Sequence, residues 1–159
     1  MDWNEVFLHE HHRPPQGEIE EMTTTFEVRT LSDHLSILFS SALEKIDAVS
    51  RETEKFLSHR GIQEKAFRIL LSMREALTNA ILHGNQGNPQ KLVHYRVRVE
   101  EGDLVIEVED EGTGFDWKRH MKKKPRVDSE SGRGLFIMQQ FASDVRFNDR
   151  GNRLMLRFK

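Results

Sequence analysis

The sequence predicts an α+β sandwich, with helices packed on one face of a largely antiparallel sheet. Three observations carry that expectation. Two alternating apolar segments, LVHYRVRV and DLVIEVED, are separated only by the turn EEGD. Two longer segments repeat apolar residues at helical spacing. The last segment alternates Leu154, Leu156 and Phe158 with Arg153, Met155 and Arg157, one face for a core and one for water.

The elements follow in chain order. Residues 1–22 are polar, carry His9, His11, His12, Pro14 and Pro15, and hold no sustained period, so they form a tail ahead of a domain over 23–159. Phe26 and Val28 alternate with polar neighbours and predict a first strand. Leu35, Ile37 and Phe39 predict a second that pairs with it. Ser41 followed by Glu44 has the spacing of a capping box and is expected to open a helix. Its inner side would hold Leu43, Ile46, Val49, Thr53, Phe56 and Leu57, and Gly61 would stop it. A second helix is expected from Gln63 to His83, with Ala66, Ile69, Leu70, Met73, Leu77 and Ala80 as its stripe. Gly84, Gly87 and Pro89 end it. After the central hairpin a Gly-, Lys- and Pro-bearing loop spans Thr113 to Ser131, and Gly132 to Phe141 predicts a third helix. SDVRFND and RLMLRF close the chain as strands around Arg150-Gly151-Asn152.

The bulk properties exclude several function classes. A chain of 159 residues can bury one self-sufficient core, and 36% hydrophobic with 31% charged residues describes an ordinary soluble protein. There is no cysteine, hence no disulfide framework, thiolate zinc site or cysteine nucleophile. No basic segment followed by an apolar run opens the chain, so no signal peptide is expected. No segment reaches the ~18 apolar residues that a membrane span needs. A net charge of −2 argues against a dedicated nucleic-acid binder. A cytoplasmic protein is expected.

Three short constellations carry chemistry. On the second helix Glu75 and Asn79 fall opposite the apolar stripe, four residues apart and therefore neighbours. An Asn oxygen can bind Mg²⁺, and a Glu can act as base toward a hydroxyl. A solvated helix face would show the same pair. Asp110-Glu111-Gly112-Thr113-Gly114 stands where a buried strand ends. Gly112 and Gly114 let backbone approach a flat ligand, and the Asp110 carboxylate can accept an exocyclic amine such as that of adenine. A tight turn explains these residues equally. Gly132, Arg133 and Gly134 open the third helix, where free N–H groups and the helix dipole suit phosphates and Arg133 adds a donor fork. An ordinary Gly-rich helix entry is the plain alternative.

Taken in order, the three say more than each alone. The strings EALTNAILHGNQGNP (75–89), VEDEGTGFD (108–116), SGRGLFIMQQFASDV (131–145) and FNDRGNR (147–153) resemble the GHKL ATPases, the Bergerat fold. Within that superfamily the sequence is most similar to the bacterial anti-sigma-factor serine/threonine kinases. The resemblance runs from Thr23 to Lys159 and implies ATP and Mg²⁺ as ligands. It assigns Asn79 to the metal, Asp110 to the adenine amine, Gly112 and Gly114 to the space for the base, and Gly132 to Gly134 to the phosphates. It makes Glu75 the base that activates a substrate hydroxyl, and leaves His83 a structural role. Implied partners are an anti-sigma-factor antagonist, a sigma factor, and a second copy of the chain as a homodimer. Two other readings stay open: a nucleotide-gated module that sequesters a regulator without catalysis, and a detached histidine-kinase catalytic domain. The latter would need a separate His-bearing partner.

The chain departs from the resemblance in places. Leu154-Met155-Leu156 stands where relatives often carry a Thr that helps hold adenine through water, which puts that contact in doubt. Phe141-Ala142-Ser143-Asp144 keeps a single acid after the last helix. The loop is basic: Lys118, Arg119, Lys122, Lys123, Lys124 and Arg126 fall within nine residues, which suits a triphosphate, an acidic partner or plain solvation. No P-loop and no zinc motif occurs. His9-Glu10-His11-His12 fits a solvated tail better than a metal site.

Overall fold

The computed structural model describes residues 25–121 and 133–159, and only the backbone of residues 120 and 121. The tail over 1–22, the basic stretch from Lys122 to Arg126, and Gly132 lie outside the described residues.

Six strands form one sheet in the order β1-β2-β3-β4-β6-β5, every neighbouring pair antiparallel. β1 (Phe26–Thr30) is an edge strand against β2 (His34–Ser40), with Phe26 opposite Phe39. β3 (Leu92–Glu100) and β4 (Asp103–Asp110) make the central hairpin. Its turn puts Glu101 and Gly102 at φ 54° and 89°, the paired left-handed geometry that matches strand twist. β5 (Asp144–Phe147) and β6 (Arg153–Phe158) form the last hairpin, and it is β6 that lies beside β4. On the inner face Leu35, Ile37, Phe39, Val93, Tyr95, Val97, Ile106 and Leu156 are fully buried.

The helices cover that face. α1 (Ile46–His59) and α2 (Ala66–Asn79) are each preceded by one turn of 3₁₀ helix, Leu43–Lys45 and Gln63–Lys65. Ile46, Val49, Thr53, Phe56 and Leu57 are buried on α1, and Ile69, Met73 and Leu77 on α2. One buried polar contact registers α1 against the sheet. Tyr95 Oη lies 3.0 Å from Thr53 Oγ1, whose own proton goes to Val49 O at 2.8 Å. A short α3 (Trp117–Met121) falls inside the segment expected to be an irregular loop. α4 (Arg133–Phe141) is packed on α2, with Phe67 and Phe141 edge to face at 6.3 Å.

Two expectations for the start of α1 are corrected. The capping box does not form: Ser41 is buried, its N–H pairs with Lys91 O at 2.9 Å, and its hydroxyl has no hydrogen-bond partner among the described residues. The backbone at Ser41 still follows β2 and its neighbour, which turns the side chain inward and away from the helix N-terminus. Leu43, placed by periodicity on the inner stripe, is 46% exposed because the first turn is 3₁₀ and rotates it outward.

Candidate functional site

The first wall of the site is α2 together with its C-terminal extension. The apolar stripe fixes α2's rotation on the sheet, so Glu75 and Asn79 sit on the flank that α4 covers. Both are partly buried, so the pair is not a fully solvated face. α4 enters with glycine, where any side chain would displace the ends of Glu75 and Asn79. A Cβ on Gly134 would lie 2.8 Å from Glu75 Oε2 and 3.3 Å from Asn79 Nδ2. Arg133, the first residue of α4, is exposed at that end.

Beyond Asn79 the helix does not stop; Ala80–Gly84 continues it as a π-helical turn. Widened turns of this kind recur at functional sites. Here the turn carries Gly84 to the end of β4, the second wall. A Cβ on Gly84 would overlap the Asp110 carboxylate, and one on Gly112 would overlap Gly84 O. Asp110 therefore lies in a slot whose sides are bare backbone. Gly112 N–H donates to Asp110 Oδ1 at 2.8 Å. Burial pushes the Asp110 carboxyl above its ordinary range, against the pull of that hydrogen bond and of the Lys91 and Arg150 charges. His83, on the same turn, is exposed.

Sequence reasoning missed the residues that hold Asp110 in place. Asn85 is fully buried. Its Oδ1 accepts Glu111 N–H at 2.9 Å and its Nδ2 donates to Leu92 O at 2.9 Å, while Leu92 N–H reaches Glu111 Oε2 at 2.7 Å. The π-turn, β3 and the end of β4 are thus tied at one amide. From the other side Asp110 N–H donates to Asn152 O at 3.0 Å, and Asn152 Nδ2 donates to Asp110 O at 3.0 Å. The Asn residues in HGNQGNP and FNDRGNR were the signal in the sequence, since Asn between glycines marks backbone in need of side-chain partners.

The structure gathers Glu75, Asn79 and Gly134 on one side, and Asp110, Gly112 and Gly84 at the far end of the same helix. Gly114 is placed differently: at φ 84° its open side meets Arg150 O. Among the described residues no group of three or more His, Asp or Glu could hold a metal ion.

The sequence profile of the histidine kinase-like ATPase domain matches residues 39–158. The anti-sigma F factor of Bacillus cytotoxicus is 37% identical over 87 residues, which is 52% of this chain and 59% of that protein. The anti-sigma F factor of Halalkalibacterium halodurans is 34% identical over 77 residues, 45% of this chain and 52% of its own. That of Bacillus cereus strain ATCC 14579 is 36% identical over 87 residues, 52% of this chain and 59% of its own. The chain thus spans about half the length of the curated relatives it matches. With the matched segment running from β2 to the last residue of β6 and taking in both α2 and the end of β4, the chain belongs to the histidine kinase-like ATPase domain family.

Proposed function

We propose that this chain is an ATP-dependent serine/threonine protein kinase of the anti-sigma-factor type. The observation that carries the nucleotide reading is the Asp110 slot. A carboxylate set between Gly84 and Gly112 and held through Oδ1 by Gly112 N–H presents an acceptor, bounded by bare backbone, to a flat base. That acceptor suits the exocyclic amine of adenine. The residues present also fit Mg²⁺, because an ion that keeps several waters and takes oxygens from phosphates needs few protein ligands, and Asn79 supplies one.

When bound, ATP would supply the phosphoryl group and Mg²⁺ would neutralise charge on its oxygens. The chain's own residues do the rest. Asp110 and Gly112 orient the base. Asn79 holds the metal, and Arg133 and the first N–H groups of α4 face the phosphates. Glu75, one turn before Asn79, accepts the proton of the incoming Ser or Thr hydroxyl. The curated relatives are named for sigma F, and by that likeness the partners of this chain are a sigma factor and a small antagonist protein that receives the phosphate. Such a role belongs in the cytoplasm. Among the described residues no helix is long and apolar enough to cross a membrane.

The test pairs two measurements on one set of proteins. ATP affinity and transfer to Ser-bearing candidate antagonists are measured for wild type, Glu75→Gln and Asn79→Ala. Glu75→Gln should keep ATP affinity and lose ~10²–10⁴-fold in transfer, the scale of a missing general base. Asn79→Ala should lose Mg²⁺-dependent binding itself. A wild type that holds ATP and a sigma factor tightly but phosphorylates no candidate would leave a sequestering module in place of the kinase.

A further inference from the structure

The glycine loop after β4 is not held by its own strand alone. The turn of the last hairpin, 148–152, is locked into it from the side. Gly114 lacks a side chain where Arg150 O sits, and Gly151, at φ 81°, lacks one where the Phe115 backbone sits. Each loop thus receives the other's main chain at a glycine. Arg150 Nη2 then donates to Gly112 O at 3.0 Å, and Arg150 Nε approaches Thr113 O at 3.5 Å. Trp117 Nε1 donates to Asn148 O at 3.0 Å, and the indole is stacked on Phe147 at 5.7 Å.

The turn is rigid enough to act as a clasp. Asn148 Oδ1 accepts three backbone N–H groups, from Gly151 at 2.9 Å and from Asn152 and Arg153 at 3.1 Å each. Asn148 Nδ2 donates to Asn152 Oδ1 at 2.8 Å, and Asn152 in turn brackets the Asp110 peptide. An unbroken set of contacts therefore runs from Arg150 through the turn to both main-chain groups of Asp110.

We propose that Arg150 is a positioning residue for the nucleotide slot: its guanidinium fork fixes the Gly112 and Thr113 carbonyls, so that Gly112 N–H stays on Asp110 Oδ1 and the carboxylate keeps the orientation that tells adenine from guanine. The inference rests on the nucleotide reading above and adds to it a residue that belongs to neither wall. A cation serving the triphosphate would be replaceable by lysine. A fork holding two carbonyls is not, because an ammonium lacks the planar pair of donors.

The experiment measures Kd for ATP and GTP, each with Mg²⁺, on the full chain as wild type, Arg150→Ala and Arg150→Lys, with thermal melting to confirm the folded state. Arg150→Ala should weaken ATP roughly ten-fold, the scale of one or two lost hydrogen bonds, and GTP much less, so that the ATP-to-GTP preference narrows. Arg150→Lys should restore little of it. An unchanged preference in Arg150→Ala, or full recovery in Arg150→Lys, overturns the inference while leaving the nucleotide site standing. Should Arg150→Ala melt below the assay temperature, Trp117→Phe keeps an aromatic ring beside Phe147 and removes the indole N–H bond to Asn148. It should narrow the preference in the same sense, and an unchanged preference there overturns the inference too. A wild type that binds neither nucleotide takes down the nucleotide site and this inference together.

Discussion

Asp110 is held where burial makes its charge costlier than in water, although an ionised carboxylate is the better acceptor for an amine. Burial raises its pKa above the ordinary 3.8, so between the unfolded and folded values the folded state binds more protons. Stability attributable to this group therefore falls as pH rises through that interval and stays lower above it. Asp110→Asn can still accept Gly112 N–H and carries no charge. Without nucleotide its melting temperature should match wild type below the carboxylate range and exceed it at pH 7. With ATP the order at pH 7 should invert, because only wild type gains from ligand binding. Melting curves at two pH values, with and without ATP, check this, and a wild type that is the more stable without ligand at pH 7 contradicts it. Asn85 has the opposite character. Asn85→Ala takes the side-chain partner from Glu111 N–H and Leu92 O, both bonds being partly buried, and should cost about 1–2 kcal/mol in denaturant unfolding. Asp110 was legible in the sequence because chemistry-bearing residues beside glycines stand out. Asn85 was not, because its work is done on main-chain groups brought together from three elements.

At the scale of elements, the decisive one is α2 with its π-helical extension. Period-3.6 reasoning finds the buried stripe but cannot see where a helix widens, since the π-turn changes hydrogen-bond partners and not composition. The same limit explains the start of α1, where the Ser41–Glu44 spacing is right for a cap and the backbone of β2 overrides it. Gly84 is the point at which the π-turn meets β4. Gly84→Ala would push a methyl group into the Asp110 carboxylate and should abolish the rise in melting temperature with ATP. Gly61→Ala is the control: φ is 70° there, and a Cβ would meet nothing within 4 Å. It should cost about 1 kcal/mol in strain and leave the ATP effect intact. Equal loss of the effect in both variants would show that general destabilisation is responsible.

The whole molecule has two unlike faces on one sheet. The inner face is the core. The outer face is a lattice of arginines and acids: Arg98 to Glu107 at 3.1 Å, Arg153 to Glu109 at 3.1 Å, and Arg157 to Glu100 at 2.8 Å and Asp103 at 3.1 Å. Beneath the stems of this lattice Val105 is fully buried. Half-exposed pairs of this kind are each worth about 0–1 kcal/mol and are screened by salt. Raising NaCl from low to molar concentration should therefore lower the denaturation midpoint only slightly, and a collapse of stability would show that the lattice holds the fold. The two-faced character of each strand was legible from period-two alternation. Strand order was not, because alternation says which way a residue points and nothing about its neighbour. The placement of β6 between β4 and β5 is decided by contacts such as Val108 with Leu154.

That placement has a consequence for how the protein comes into being. β6 follows every other strand of the sheet in the chain, and β4 carries Asp110 along the border that β6 will cover. Until β6 has left the ribosome, β4 is a bare sheet edge with unpaired N–H and C=O groups, the kind of edge that invites pairing with another chain. The clasp, too, is absent during that interval, so a partly synthesised molecule holds both glycines and the carboxylate but no fixed slot. Nucleotide can then reward only a molecule whose β5–β6 hairpin has formed, and ATP present during synthesis would pull that hairpin into place once translation has supplied it.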